Sequence, residues 1–375
     1  MTSLAIGTNL WIPTGNLPAA SLAFENDCAM VGLAEGSALL AGGADAKSAG
    51  SAAAALFDPA ISTWKATTPM AIGRRLHTVT RLPDGTALAA GGITGPYALP
   101  FNVVAAAERF DPKTKTWTPT RTDMGTPRCL HSATLLADGR VLVAGGAALR
   151  SARGLGPTNT AELYDPVADK WEPTGSMIDA RTVPQSVLLA DGRVLVVGGA
   201  ALVGDEYAVP TAFCEVYDPK TGKWSPTGSL ALPRALHRAA LLPDGSVLAM
   251  GGCRHGWSSG PIFDMHSLAT TERWYPMMDR WVPAATMPNG RDRFHAFTLH
   301  SGKVLVFGGG DEQYLSAKFA SSVLYDPFAD TWSSTGPMYY GRMDFAAALL
   351  SDGRVLAAGG SQEDDLPTVA EMFLP

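Results

Sequence analysis

The chain has 375 residues, of which 46% are hydrophobic and 17% are charged, and it contains 40 Gly and 27 Pro. This is the composition of a folded, turn-rich protein, which excludes long solvated helices and favours an all-β fold. The net charge of −6 is mild and no run rich in Lys or Arg occurs, so the phosphate-neutralising surface that a nucleic-acid partner requires is excluded.

The sequence also predicts no membrane partner and a cytoplasmic location. Its longest apolar runs, such as residues 52–57, are well short of the roughly 18 residues that a membrane-spanning helix needs. Residues 1–10 carry no Lys or Arg and no long apolar core, which is unlike a secretory signal. The four cysteines show no metal-type spacing and lie in different repeats, so we expect thiols rather than disulfides: Cys28, Cys129, Cys214 and Cys253.

A repeated unit organises the whole chain. Tryptophan recurs at spacings of 51 to 57 residues, at Trp11, Trp64, Trp117, Trp171, Trp224, Trp281 and Trp332. A Gly-Gly pair keeps the same period, beginning at Gly42, Gly91, Gly145, Gly198, Gly251, Gly308 and Gly359. Seven copies of each signal predict seven structural units.

Each unit contains the signals of four short strands, which the third unit shows most clearly. Two apolar runs are joined by Asp138-Gly139, a dipeptide that predicts a hairpin, and the second run ends in Gly-Gly. A third run stops at Asp165-Pro166, because proline cannot donate to a strand ladder, and a fourth surrounds Trp171. The unit is therefore predicted to be a four-stranded antiparallel sheet.

The two ends of the chain complete one shared unit. Residues 371–375 occupy a third-strand position, whereas Trp11 occupies a fourth-strand position with nothing before it. Pairing these two segments leaves no open sheet edge. We therefore predict a single seven-bladed β-propeller over residues 1–375, with four antiparallel strands per blade and the last blade closed by the N- and C-terminal strands.

The repeat resembles the kelch repeat, and is most similar to the form found in the galactose-oxidase propeller domain. The resemblance lies in the series Arg-x-x-His, Asp-Gly-Arg-Val-Leu-Val-x-Gly-Gly, Glu-x-Tyr-Asp-Pro and Trp over residues 128–171, and it extends over essentially the whole chain. It implies a propeller but not one function, because kelch propellers include protein-binding modules, oxidases, sugar epimerases and metal-dependent specifier proteins. The sequence contains neither the Tyr-His pair of a copper-radical oxidase nor the spaced Glu, Asp and His of the specifier iron site. We expect no cofactor and no metal.

The candidate site lies on the face that carries the Gly-Gly loops, opposite the Asp-Gly hairpins. Inner strands of a propeller border its central channel, and the residues at their starts are expected near its mouth: Arg74, His77, Arg128, His131, Arg234, His237, His295 and Arg342. Two interpretations stay open. These side chains tie neighbouring blades together through hydrogen bonds to backbone carbonyls, or they form a ring of cationic and titratable groups that meets an anionic or polar ligand.

Two variable loops on the same face add further candidates. The longest loop, residues 253–270, contains His255, Trp257 and His266, and another contains Asp311 and Glu312. Variable loops on a rigid scaffold commonly carry function, although acidic loop tips are also often simply solvated. Convergence of His255 and His266 with Asp264 would make a metal site, but no His-x-Asp-x-His motif is present.

These residues favour a cytoplasmic propeller that binds a small molecule or a protein partner at the channel mouth. The alternative is an enzyme, an isomerase, lyase or cyclase, that uses His and Arg for acid-base catalysis at the same mouth. The sequence shows no nucleophile, cofactor fingerprint or metal signature that would favour the enzyme.

Overall fold

The computed structural model describes residues 8–18, 28–44, 49–95, 102–150, 154–203, 207–254, 267–311, 318–360 and 369–375. Within these ranges the chain forms seven four-stranded antiparallel sheets and one 3-10 turn at Ala34–Gly36. The predicted seven-bladed all-β propeller is therefore confirmed. None of the described segments is a helix long and apolar enough to cross a membrane.

The strands of each blade follow in order from the channel outward. Blades 1 and 2 contain β2 (Ala29–Gly32), β3 (Ala38–Ala41), β4 (Ala54–Asp58), β5 (Thr63–Ala66) and β6 (Thr78–Arg81), β7 (Ala87–Ala90), β8 (Ala107–Asp111), β9 (Thr116–Pro119). Blades 3 and 4 contain β10 (Ser132–Leu135), β11 (Val141–Ala144), β14 (Ala161–Asp165), β15 (Lys170–Pro173) and β16 (Gln185–Leu188), β17 (Val194–Val197), β20 (Cys214–Asp218), β21 (Lys223–Thr227). Blades 5 and 6 contain β22 (Arg238–Leu241), β23 (Val247–Met250), β24 (Thr271–Tyr275), β25 (Arg280–Ala284) and β26 (His295–Thr298), β27 (Val304–Phe307), β28 (Ser322–Asp326), β29 (Thr331–Ser334). Blade 7 contains β30 (Ala346–Leu349), β31 (Val355–Ala358), β32 (Val369–Leu374) and β1 (Leu10–Asn16).

Two short hairpins extend blades 3 and 4 beyond their Gly-Gly pairs. They are β12 (Ala147–Leu149) with β13 (Leu155–Pro157), and β18 (Ala200–Val203) with β19 (Tyr207–Pro210). The sequence analysis treats these segments only as variable loops, so it does not predict the hairpins.

The ring closes by pairing the two ends of the chain, as predicted. In blade 7, β1 is antiparallel to β32, with Trp11 opposite Phe373. Trp11 is only 3% exposed, and its indole N–H donates to the Ser322 hydroxyl of blade 6 at 3.0 Å. The terminal strand therefore completes its own blade and also joins the interface with the preceding one.

The hydrophobic core lies between blades rather than at a single centre. The second strand of every blade is buried along its whole length. Seven clusters of buried side chains each join two neighbouring blades. Between blades 2 and 3, for example, Leu88 belongs to one cluster with Val141 and Val143. Each blade thus depends on both neighbours, which explains why an open ring would leave two apolar faces uncovered.

The Gly-Gly pairs allow adjacent blades to approach closely. In six pairs the second glycine donates its N–H to the carbonyl of the arginine that begins the next blade, as Gly92 does to Arg128 at 2.8 Å. The first glycine of that pair, Gly91, has a φ of 67°, and a Cβ there would lie 2.4 Å from the Arg128 carbonyl oxygen. Only glycine meets both requirements.

The repeated tryptophans join strands and blades. Trp64 lies opposite Phe57 and Trp171 opposite Tyr164, with ring centroids 5.2 Å and 5.1 Å apart. Such tilted aromatic pairs stabilise a sheet beyond the area that they bury. The Trp224 indole N–H also donates to the Gly175 carbonyl, at the outer end of the preceding blade, at 2.7 Å. Trp224 therefore contacts both its own blade and the preceding one.

Candidate channel-mouth binding site

A cavity of about 300 Å³ opens at the channel mouth on the Gly-Gly face. The residues that line it are those at and just before the starts of the inner strands: Cys28, Leu76, His77, Leu130, His131, Val183, Pro184, Gln185, Leu236, Arg238, Arg293, His295, Asp344 and Phe345. The expected position of the site is therefore a real concavity, formed by side chains from all seven blades.

The arginines of the repeat do not line this cavity. Their side chains have no exposed surface. Five of the six are paired with a glutamate of the third strand of the same blade, whereas Arg291 of blade 6 donates to the backbone carbonyls of Gly308 and Ser321. The five pairs are Arg74 with Glu108, Arg128 with Glu162, Arg181 with Glu215, Arg234 with Glu272 and Arg342 with Glu371, at N–O distances of 2.6 to 2.9 Å. A buried guanidinium offers no atom to a ligand in the channel, so we do not retain Arg74, Arg128, Arg234 or Arg342 as ligand-binding candidates.

These pairs instead organise each blade. The Arg128 guanidinium donates to the Gly145 carbonyl at 2.9 Å and to the Thr160 carbonyl at 2.8 Å. The Glu162 carboxylate accepts the backbone N–H groups of Gly125 and Thr126. Charge-assisted hydrogen bonds of this kind satisfy the polar groups that the Gly-Gly turn leaves buried. The first interpretation, that repeated arginines serve the repeat, fits this geometry.

Three of the predicted histidines occupy a second repeated position. The rings of His77, His131 and His237 lie over the first glycine of the preceding blade, where a Cβ would approach each ring Cε1 within 3 Å. Burial lowers all three pKa values, helped by the charge of the nearby arginine, and lowers that of His131 to about 3. They are therefore neutral at physiological pH. His77 and His131 reach the cavity with an edge, whereas His237 is fully buried.

His295 is not equivalent to these histidines, although the sequence analysis groups them. Phe294 fills the position over the glycine of the preceding blade, and His295 follows it as the first residue of β26. His295 therefore lies at the start of its inner strand, one position beyond that of the other three histidines. The His295 Nε2–H donates to the Phe345 carbonyl at 2.8 Å, which leaves the lone pair on Nδ1. Burial and the charge of Arg238 lower its pKa to about 3, so the ring is neutral and lines the cavity.

The cavity is also lined by a cationic side chain, Arg238, that is not among the site residues predicted from the sequence. Arg238, the first residue of β22, lines the cavity and is half-buried. Burial lowers its pKa to about 10, against the opposing charge of Asp344, so it remains cationic at neutral pH. Within the described ranges, its guanidinium has no hydrogen-bond acceptor, which contrasts with the buried arginines of the repeat.

Two further charged residues lie beside it. Arg293 donates from Nε to the buried Asp292 at 2.9 Å, and its Nη1 lies 3.7 Å from the Asp344 carboxylate. Burial raises the pKa of Asp292. Arg293 and Asp344 occupy the repeat position where Leu76 and its counterparts in three other blades are apolar. The sequence signal that identifies them is a departure from the repeat, not the repeat itself.

The loop candidates are mostly outside the structural description. His255, Trp257, His266 and Glu312 lie outside the described residues. Asp311 is described, and its negative charge contributes to the raised pKa of Asp292, but it does not line the cavity. Among the residues that the structure describes, no three His, Cys, Asp or Glu side chains are placed to hold a metal ion, so no step through a metal is derived.

Comparisons with known proteins agree with this architecture, although no family model matches the chain. Human Kelch-like protein 34 is 29% identical over 203 residues, covering 54% of this chain and 29% of that protein. Kelch-like protein terF of Aspergillus terreus is 24% identical over 253 residues, covering 64% and 52%. Galactose oxidase of Gibberella zeae is 25% identical over 304 residues, covering 72% and 41%. The alignments thus span about half or less of the length of these relatives.

Solved structures show the same fold. A fungal alcohol oxidase of the AA5 family, in complex with copper, superposes with a TM-score of 0.75 at 18% identity, over 98% of this chain and 77% of that one. The protein YjhT superposes with a TM-score of 0.63 at 15% identity, over 86% and 99%. Fold and site define a seven-bladed propeller with a cavity at one channel mouth that is lined by both apolar and charged side chains. The chain is a kelch-repeat β-propeller that resembles the propeller domain of galactose oxidase.

Proposed function

We propose that the chain is a binding propeller that takes a small anionic ligand at the channel mouth. The observation that carries this proposal is Arg238, a half-buried cation that lines the cavity without a hydrogen-bond acceptor in the described ranges. A bound carboxylate or phosphate would supply the missing acceptor through charge-assisted hydrogen bonds.

Stability arguments support a functional role for this residue. Burying a charge without a hydrogen-bonded partner opposes folding, whereas the five arginine-glutamate pairs show that this fold places buried arginines with partners. A residue that costs stability and holds no other part of the blade together is a candidate for function. The neutral His295 beside it can accept a hydrogen bond at Nδ1 from a donor on the ligand.

A protein partner on the same face is the second form of the proposal. Tyr339 and Ile178, in the loops that enter blades 7 and 4, are 64% and 50% exposed. An acidic side chain or the C-terminal carboxylate of such a partner would bind the same arginine, Arg238. A cytoplasmic location remains part of this proposal.

The geometry does not favour acid-base catalysis by the histidines. Burial lowers the pKa values of His77, His131 and His295 far below neutrality, so none of them holds a proton that it could donate at pH 7. The enzyme alternative would therefore need groups other than these rings.

A panel of small anions tests the proposal. Acetate, lactate, citrate and inorganic phosphate are added to the purified chain up to tens of millimolar, and binding is followed by thermal shift and calorimetry. We expect at least one anion to bind and to raise the melting temperature. Arg238→Gln should abolish that response, while Arg193→Gln, on the opposite face, should keep it. An equal response from Arg238→Gln, or no response from any anion, would contradict the proposal.

A further inference from the structure

The side chains that line the channel mouth are apolar on one side of the ring of blades and charged on the other. The third residue of the Arg-x-x-His unit is apolar in blades 2 to 5, where it is Leu76, Leu130, Val183 and Leu236, and all four line the cavity. Blades 6 and 7 place Arg293 and Asp344 at the same position, next to Arg238 and His295. The cavity therefore has one apolar sector and one charged sector.

The apolar sector is built on an unfavourable backbone conformation. Leu76, Leu130, Val183 and Leu236 have φ values between 48° and 55°. This left-handed region disfavours leucine, and a β-branched valine still more, whereas Asn or Gly adopts it readily. Arg293 and Asp344, at the same position in blades 6 and 7, have φ values of 50° and 53°, so the surroundings impose this conformation on the repeat as a whole.

A backbone ladder around the mouth holds this conformation. The Leu130 N–H donates to the Leu76 carbonyl at 3.1 Å, and the Val183 N–H donates to the Leu130 carbonyl at 2.9 Å. Leu76 and Leu130 pack against the cluster that contains Ile93 and Cys129, and Val183 and Leu236 pack against a second cluster of Ala200, Ala235 and Cys253. All four side chains are half-buried. The ladder thus presents a fixed row of apolar side chains to whatever enters the channel.

We infer that the ligand is an amphipathic carboxylate, whose charged end meets Arg238 and whose apolar body lies on the leucine sector. This inference rests on the proposed function, since it assigns the anion an apolar body. The cavity volume of about 300 Å³ equals the liquid volume of about ten waters, so a ligand of about ten non-hydrogen atoms fits it. Octanoate and phenylacetate are of that size.

A chain-length series tests the inference by calorimetry on the full chain. The probes are acetate, butanoate, hexanoate and octanoate, with hexanamide as the uncharged counterpart of hexanoate. We expect the Kd to tighten about fourfold for each added methylene group until the cavity is filled. Hexanamide should bind at least about tenfold more weakly than hexanoate, because it lacks the charge that pairs with Arg238.

Variants of the apolar sector separate this inference from the proposed function. Leu130→Asn keeps a residue that tolerates the left-handed conformation, so the fold should be retained while octanoate binding falls roughly tenfold and acetate binding stays within about twofold. Leu236→Asn provides a second variant on another blade. Leu149→Asn, at a 51% exposed leucine of blade 3 that does not line the cavity, is the matched control and should bind octanoate normally.

The outcomes are distinguishable. If small anions bind through Arg238 but octanoate binds no tighter than acetate, the amphipathic ligand is refuted and the anion site stands. The same holds if the two asparagine variants fold and bind octanoate with unchanged affinity. If octanoate binds Arg238→Gln as tightly as it binds the native chain, Arg238 does not bind the carboxylate. The proposed function is then refuted as well.

Discussion

Replacement of His131 by phenylalanine should make the propeller less sensitive to acid. Burial and the charge of Arg128 hold the pKa of His131 at about 3, below the value of about 6.5 for an unfolded histidine. The unfolded chain therefore binds the proton first, so this histidine lowers stability as the pH falls through about 6.5 and continues to do so down to about 3. Phe294 and Phe345 occupy the same position in blades 6 and 7, which shows that a phenylalanine ring fits over the glycine pair.

The magnitude follows from the pKa difference. At pH 5 the pH is about 1.5 units below the pKa of a histidine in the unfolded chain. Protonation of the unfolded chain therefore destabilises the native chain by about 2 kcal/mol relative to neutral pH. For a chain of 375 residues that corresponds to a melting-temperature loss of about 2.5 °C. At neutral pH, His131→Phe gives up one hydrogen bond, from Nε2 to the Thr78 hydroxyl at 2.9 Å, in exchange for an apolar ring.

The assay compares melting temperatures at pH 7 and pH 5. The drop between the two should be smaller in His131→Phe than in the native chain by about 2.5 °C. His300→Gln, which replaces an exposed histidine on the hairpin face, is the control and should show the native drop. If His131→Phe loses as much stability as the native chain between pH 7 and pH 5, the burial of a neutral imidazole is not the source of the acid sensitivity.

Three further perturbations test the fold. Deleting residues 1–15 removes most of β1 with Trp11 and exposes an edge of β32. We therefore expect aggregation, or a stability loss of at least about 3 kcal/mol in thermal unfolding. A truncated chain that stays monomeric with unchanged stability would refute the closure of the ring by β1 and β32. Glu162→Gln leaves the Arg128 guanidinium without its buried counter-charge. It should lower the free energy of unfolding, measured by denaturant titration, by about 3 to 5 kcal/mol. A decrease under about 1 kcal/mol would mean that the pair is dispensable. Gly91→Ala combines a positive φ with a 2.4 Å approach to a carbonyl and should destabilise more than Gly85→Ala, where a Cβ meets nothing within 4 Å; equal melting temperatures would contradict the packing argument.

The repeat made the fold predictable because the same physical requirement recurs seven times. Glycine pairs, Asp-Gly hairpins and Asp-Pro stops each have a local cause, and the missing partners of Trp11 and residues 371–375 indicated how the ring closes. The hairpins β12–β13 and β18–β19 have a weaker signal, since they occur only in blades 3 and 4 of the described structure. The sequence Gly-Gly-Ala-Ala-Leu begins both, at residues 145–149 and 198–202, but two copies do not define a period.

The site was less predictable for the opposite reason. Residues repeated in most blades, such as Arg128 and His131, drew attention to the correct end of the channel but serve the packing of the blades. Arg293 and Asp344, which line the cavity, occur at a position that is apolar in blades 2 to 5, and Arg238 occurs at a position that carries no charge in blades 2 to 4. Strand register shows that His295 is one position beyond the repeated histidine, which agrees with its spacing of four residues, instead of three, from the repeat arginine Arg291.

The most direct test of the central claim is the side-chain NMR signal of Arg238. Its Nε–Hε resonance can be assigned as the signal that disappears in Arg238→Lys, and then followed while octanoate or another anion of the panels is added. We predict that this resonance shifts more than those of the buried arginines and saturates with the Kd measured by calorimetry. An anion that binds the chain while the Arg238 signal stays in place would show that the channel mouth is not the binding site.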